Sequence, residues 1–305
     1  MPVKADNNPE ANPNTFLEKR NWEAVENFSI EVMPRTAEKI IDFKNFLPKK
    51  TKVYIAHIEG SDINSMLTTA RRLIDSEMTV IPHFPARLIK NSSQLEEWVK
   101  RYGELGVNHG LVLAGGVKKP VGDFSDSMEL IETSYFDKYG FKNIYFAGHP
   151  EGNKDIDKKG SDGLVMKALQ WKRDFSLRTD AKIELTTQFC FEIGPIIDWE
   201  VSLRNNGINF PINLGVAGPA KLQTMIKFAI LCGIGPSIRV LERRAKDLTK
   251  LFLPYSPSDF LSKLIKYKSE NPETNIKSIH FFPLGGILQT GEFIKGFFND
   301  KTHEA

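Results

Sequence analysis

Several absences narrow the field before any residue is read closely. Cysteine is scarce: Cys190 and Cys232 are the only two in 305 residues, too few for a disulfide framework or a thiolate zinc site. One lies in an apolar strand-like run and one near a helix end, so both read as buried, inert thiols. An excess of one charge is missing too. Against 41 basic residues stand 38 acidic ones, a balance that disfavours nucleic acid or an anionic membrane as the natural partner and leaves a small molecule as the expected ligand. No stretch of about 18 consecutive apolar residues occurs, and the N-terminus lacks a basic region followed by an apolar core. The reading is a cytoplasmic protein. The familiar short signatures are missing as well: no GxGxxG follows the first strand, and GxxxxGK[ST], HExxH, CxxC and GxSxG do not appear, so neither a nucleotide loop nor a metal is expected.

What is present is core-forming material, 41% hydrophobic residues with 21 Phe, in a chain whose length suits one α/β barrel of about 250 residues plus an extension. Residues 1–14 are rich in Asn, Pro and charge and read as a mobile arm. The division expected is an N-terminal arm over 1–27 and one barrel over 28–305. Eight short β-branched or aromatic runs follow, at 28–34, 51–58, 78–86, 109–116, 143–149, 182–191, 210–217 and 278–286, each leading into a longer amphipathic segment. That alternation predicts a single (β/α)8 barrel, with a doubly wound open sheet as the alternative. The spacing of Ile63, Met66, Leu67, Ala70, Leu73 and Ile74 predicts a helix over 61–76, capped by Ser61 or Asp62. A helix over 219–231 opens on Pro219 and closes at Gly233. The stretch 236–272 reads as two helices, giving extra helices before the last strand. The basic run at 239–246 reads as a solvated helix face.

Barrel enzymes build their sites where the strands end, so polar residues at predicted strand ends are the candidates. Glu31 sits in an otherwise apolar strand, where burial would raise its pKa and fit it for general-acid work; a structural pairing with Arg35 is the alternative, and the pattern leaves both open. His83 lies between prolines in IPHFPAR, and His149 opens a loop in AGHPEGN that also carries Asn153. Either histidine could touch a ligand or simply bond to backbone. Gln188, in LTTQFCF, could read a heterocycle through its amide or be a satisfied barrel-layer residue. Ala114, Gly115 and Gly116 end the fourth strand where backbone approaches closely, with or without a ligand.

Taken in order, FSIEVMPRTAEK, IPHF, AGHPEGN, ALQWKR, TTQFCFE and IHFFPLGG resemble the strand-end motifs of the methylenetetrahydrofolate reductase family, over most of residues 28 to 299. The resemblance implies an FAD-containing barrel that takes hydride from NADH or NADPH and reduces 5,10-methylenetetrahydrofolate to 5-methyltetrahydrofolate. It implies Glu31 as the acid that protonates N10. Gln188 and Phe282 would hold the folate, and His83, Ala114, Gly115, Gly116, His149, Asn153, Gln170 and Arg173 would surround the flavin. Homo-oligomerisation is an expectation from the resemblance alone. The chain departs from the family at Ala114, Gly115 and Gly116, where an Asp is usual beside the flavin, and at His149, Asn153, Gly285 and Gly286. Removing that carboxylate would raise the flavin potential. Two further readings follow: oxidation of 5-methyltetrahydrofolate, and a folate-binding or assembly subunit that has lost flavin.

Overall fold

The computed structural model describes residues 27–153, 155–157, 163–232, 241 and 254–299. Eight parallel strands close into a barrel in sequence order. They are β1 (Ser29–Val32), β2 (Lys52–Ile55), β3 (Thr79–Pro85), β4 (His109–Leu113), β5 (Asn143–Gly148), β6 (Lys182–Thr187), β7 (Ile212–Ala217) and β8 (Ile276–Phe282). Each lies within or against one of the runs predicted from sequence. Closure comes from β1 and β8, where Ser29 lies opposite His280 and Ile30 opposite Phe281. The open-sheet alternative is thereby set aside.

Among the described residues the helices are α1 (Pro34–Ala37), α2 (Ile63–Asp75), α3 (Ser92–Glu104), α4 (Ser127–Glu132), α5 (Tyr135–Lys138), α6 (Gly163–Ser176), α7 (Ile193–Asn205), α8 (Leu222–Leu231), α9 (Ser258–Glu270) and α10 (Ile287–Asn299). Helix α2 shows why these segments form. Asp62 caps it by accepting from the Ser65 N–H at 3.0 Å, and Met66, Ala70 and Leu73 are fully buried at helical spacing. Burying a side chain the size of Leu73 contributes about 1.5–3 kcal/mol, and the cap adds about 1 kcal/mol. Helix α9 is an extra helix between β7 and β8, as expected. Helix α8 begins at Leu222, with Lys221 in the extended N-cap position, so Pro219 precedes the helix and does not open it. Residues 1–26 of the arm expected over 1–27, Gly233, the basic run at 239–246 apart from Leu241, and most of the first helix expected in 236–272 lie outside the described residues.

Alternation along each strand divides the core in two. Outward residues such as Ile30, Val53, Val80, Phe84, Ile144 and Phe281 join the helices in one large cluster. Phe84 is a hub of it, its ring 5.0 Å from Phe136, 5.6 Å from Tyr102 and 5.8 Å from Phe141. Inward, Tyr54, Ile81, Leu111 and Tyr145 fill the lumen at mid-height. The barrel therefore has a packed floor, and its mouth opens above that floor.

Candidate functional site at the barrel mouth

Period-two alternation puts Ser29 and Glu31 of β1 on the lumen side, together with His280 and Phe282 of β8 and His83 of β3. Parallel register sets Glu31 beside Tyr54 of β2. The result is a carboxylate framed by two imidazoles: Glu31 Oε2 lies 3.6 Å from His83 Nε2 and 3.8 Å from His280 Nε2. His280 is 1% exposed, and its Nδ1 lies 2.9 Å from Ser29 Oγ. Tyr54, also buried, packs its ring 4.3 Å from that of His280 and pairs its hydroxyl with Thr186 at 2.9 Å. Arg35 does not join this group; it is exposed on α1.

Electrostatics at this cluster overturn one expectation. Burial does push Glu31 upward, but the hydrogen bond from His280 and the charges of His83 and His280 outweigh it. The carboxyl is held below its usual range, so the raised pKa expected from burial alone is corrected. His83 goes the other way: burial brings it down to about 4, against the opposing pull of Glu31. At neutral pH the pair therefore stands as carboxylate and neutral imidazole. His83 Nε2 is buried with no hydrogen-bond partner, a costly arrangement that a ligand or water would relieve.

The other candidates distribute unevenly. Phe282 stands over His280 at 4.7 Å and meets Phe189 at 5.3 Å, forming an apolar wall beside Glu31. Gln188 follows β6 and turns its Oε1 to the Phe189 N–H at 3.1 Å, which leaves the amide NH2 for another partner. Its strand end lies close to β7 because residue 215 is Gly: a Cβ there would meet Thr187 O at 2.5 Å. His149 and Asn153 approach one another at 3.4 Å on the loop after β5, and burial lowers His149 to about 4. Gly115 takes a left-handed backbone, φ 95°, close to Pro85. These groups and the end of β3 line one side of the mouth.

Two candidates are on α6, which runs from the mouth toward the barrel's lower end. Gln170 is half-buried in its middle. Arg173, in the last turn, binds Asp174 at 2.8 Å and the Asn206 carbonyl at 3.3 Å. Asn206 follows the end of α7, so Arg173 is anchored toward the lower end of the barrel. The inward-facing basic residue of ALQWKR is instead Lys172. It is buried over the Phe146 ring at 4.8 Å, and burial lowers it to about 8.

No protein-family model matches the chain. Among solved structures it is similar to an uncharacterized protein from Clostridium thermocellum that binds two copies of 5-methyl-5,6,7,8-tetrahydrofolic acid, with a TM-score of 0.58 and 13% identity over 95% of this chain and 100% of that one. The likeness is one of fold. Among the described residues, no helix is long and apolar enough to cross a membrane, and no group of three or more His, Cys, Asp or Glu is placed to hold a metal ion. Cys190 is buried, whereas Cys232 is exposed, which corrects the expectation that both thiols are buried.

Sequence reading missed His280, Ser29, Tyr54 and Lys172. A signal for the first two was present, since Ser29 is two residues before Glu31 and His280 two before Phe282, the spacing that places side chains on one strand face.

Proposed function

We propose that this barrel binds a reduced folate at its mouth and works on the one-carbon unit carried there. The observation that carries the reading is the carboxylate of Glu31, poised at the lumen between two histidines, with the Phe282 ring over His280 and the Gln188 amide at the end of β6 on the same rim of the barrel. A flat pterin needs an apolar wall and a paired amide, and a tetrahydrofolate nitrogen needs a group that can give or take a proton. The folate-binding neighbour of the same fold and the methylenetetrahydrofolate reductase resemblance both point to that ligand class.

The finer reading is reduction of 5,10-methylenetetrahydrofolate to 5-methyltetrahydrofolate. Lys172, a buried ammonium with no ion-pair partner among the described residues, fits a phosphate-bearing cofactor, as does the open backbone at Ala114, Gly115 and Gly116 with His149 and Asn153 alongside. We propose FAD there, with NADH or NADPH as co-substrate; once reduced by the pyridine nucleotide, the flavin would supply hydride to the folate. The chain's own residues orient the folate and handle one proton. Glu31 is anionic in the free protein, so its role as the N10 acid requires that the arriving ligand desolvate it and raise its pKa, so that it takes up a proton from solvent as the site closes and then donates it to the leaving nitrogen, returning to carboxylate. An anionic Glu31 equally suits a protein that holds 5-methyltetrahydrofolate, or oxidises it, and the absence of a carboxylate at Ala114 favours this second reading.

Calorimetry with 5-methyltetrahydrofolate tests the ligand class, and an anaerobic spectrum taken with FAD, NADH and then 5,10-methylenetetrahydrofolate tests the chemistry. Flavin that bleaches with NADH and recovers with folate, and fails to recover in Glu31→Gln, is the result expected of a reductase. Folate binding without flavin reoxidation would leave the binding or oxidative reading. No folate binding at all would overturn the proposal.

A further inference from the structure

The seam where the barrel closes carries a chain of contacts that no sequence motif announced. Ser29 and Glu31 lie on the same face of β1, and His280 lies on the adjoining β8, opposite Ser29 in register. Ser29 Oγ has two neighbours, His280 Nδ1 at 2.9 Å and the Ile279 carbonyl at 3.4 Å. The shorter contact is the stronger bond. The 2.9 Å contact fits either direction, so the tautomer is set at the other nitrogen: Nε2 faces the carboxylate oxygen Glu31 Oε2 at 3.8 Å, an acceptor that favours the ring proton on Nε2 and thereby turns the Ser29 hydroxyl from the Ile279 carbonyl to donate to Nδ1. His83 Nε2 approaches the same oxygen at 3.6 Å. Both imidazoles thus address Oε2, while Oε1 has no protein hydrogen-bond partner among the described residues.

We propose that His280, braced by Ser29, is a positioning residue: its Nε2–H fixes one oxygen of Glu31 and leaves the other to meet a proton-bearing nitrogen of the ligand. At 3.8 Å the bond is long, as such bonds often are before a ligand closes the site. Burial makes the arrangement worth having. His280 is 1% exposed and locked between the rings of Tyr54 and Phe282, so its direction is set by packing and by Ser29, without freedom to swing. The groups facing Glu31 are His83 from β3, Tyr54 from β2, His280 from β8 and, at longer range, Cys232 after α8. Of these, His280 alone has its second ring nitrogen held by a side chain within hydrogen-bond distance. The role of Oε1 rests on the folate proposal; the grip on Oε2 does not.

The experiment separates the two. Long-range proton–nitrogen spectra of the ligand-free protein should show His280 as the Nε2–H tautomer, and Ser29→Ala should lose or mix it. A carbon-detected titration of the Glu31 carboxyl should move to higher pH in His280→Leu and return part-way in His280→Gln, whose amide can still donate. Ser29→Ala, a small change, keeps the test open if His280→Leu fails to fold. Affinity for 5-methyltetrahydrofolate should fall roughly tenfold or more in His280→Leu, the scale of a hydrogen bond to a charged group, with partial recovery in His280→Gln. An Nδ1–H tautomer in the wild type, or a Glu31 titration unmoved by His280→Leu, would overturn the positioning role. Intact tautomer and titration effects in a protein that binds no folate would instead sink the folate reading and leave the positioning role standing.

Discussion

Acid should weaken this fold through His83. Its imidazole titrates near 6.5 when unfolded and is held at about 4 by burial in the native barrel. The sign follows from proton counts. Between those values the unfolded chain binds a proton that the folded chain refuses, so stability is fully present above 6.5 and is lost as pH falls toward 4. At about pH 5 the unfolded ring is almost wholly protonated and the native one mostly is not, which amounts to ~2 kcal/mol of lost stability relative to about pH 7.5. Glu31 does not mask the effect, because its carboxyl is held below its usual range by the neighbouring histidines, and the comparison is made at pH values above that range. The assay is urea unfolding at the two pH values for the wild type and His83→Gln, whose side chain does not titrate. Comparing the pH-induced losses cancels the other histidines, and the variant should lose ~2 kcal/mol less than the wild type. Equal losses in the two proteins would refute the claim that His83 is held neutral.

Two further substitutions probe how the scaffold carries the site. Gly215→Ala would place a Cβ 2.5 Å from Thr187 O and 2.6 Å from the Gln188 carbonyl; because the obstacle is backbone, we expect ~1–3 kcal/mol of destabilisation together with weaker folate binding, and a wild-type melting curve would contradict the close approach of β6 and β7. Asp157 accepts from the Leu164 N–H at 3.0 Å and the Val165 N–H at 3.0 Å, capping α6 from the loop that carries His149 and Asn153. Asp157→Ala should cost ~1 kcal/mol or more in urea unfolding, and an unchanged midpoint would show that the cap contributes nothing.

Strands and helices with strong local patterns were legible in the sequence. All eight strands fell where β-branched and aromatic runs predicted them, and α2 kept its predicted cap and stripe because Asp62 and the Met66, Ala70, Leu73 series act locally. The start of α8 was misplaced since Pro at a helix start is a statistical preference, and here Ala220 instead pairs with Tyr255 in an isolated bridge. The site was only half legible. Glu31 and His83 stood out as titratable groups at strand ends, but their pairing joins β1 with β3, and no local pattern reports a contact between strands that are not neighbours. The same limit explains the sign of the Glu31 shift: burial was readable from its apolar neighbours, whereas the imidazoles that outweigh it were not. On α6 one residue step, about 100° of helix rotation, separates buried Lys172 from half-buried Arg173, and a motif resemblance cannot resolve that step.

The distribution of satisfied and unsatisfied polar groups gives the lumen a direction. At its lower end Lys52 pairs with Glu184 at 3.7 Å, Glu184 accepts from Asn213 at 2.9 Å, and Asn213 in turn accepts from Ser278. His109 meets the Tyr145 hydroxyl at 3.2 Å. Every member of that set has a protein partner, so it closes the barrel floor and asks nothing of a ligand. At the upper end, among the described residues, His83 Nε2 is buried without a hydrogen bond, and Glu31 shares one oxygen between two rings while the other has no protein hydrogen-bond partner. Buried polar groups without partners are tolerated where something else supplies them. The floor is thus built to stay shut, and the unmet hydrogen-bonding capacity of His83 lies at the end where the folate is proposed to bind.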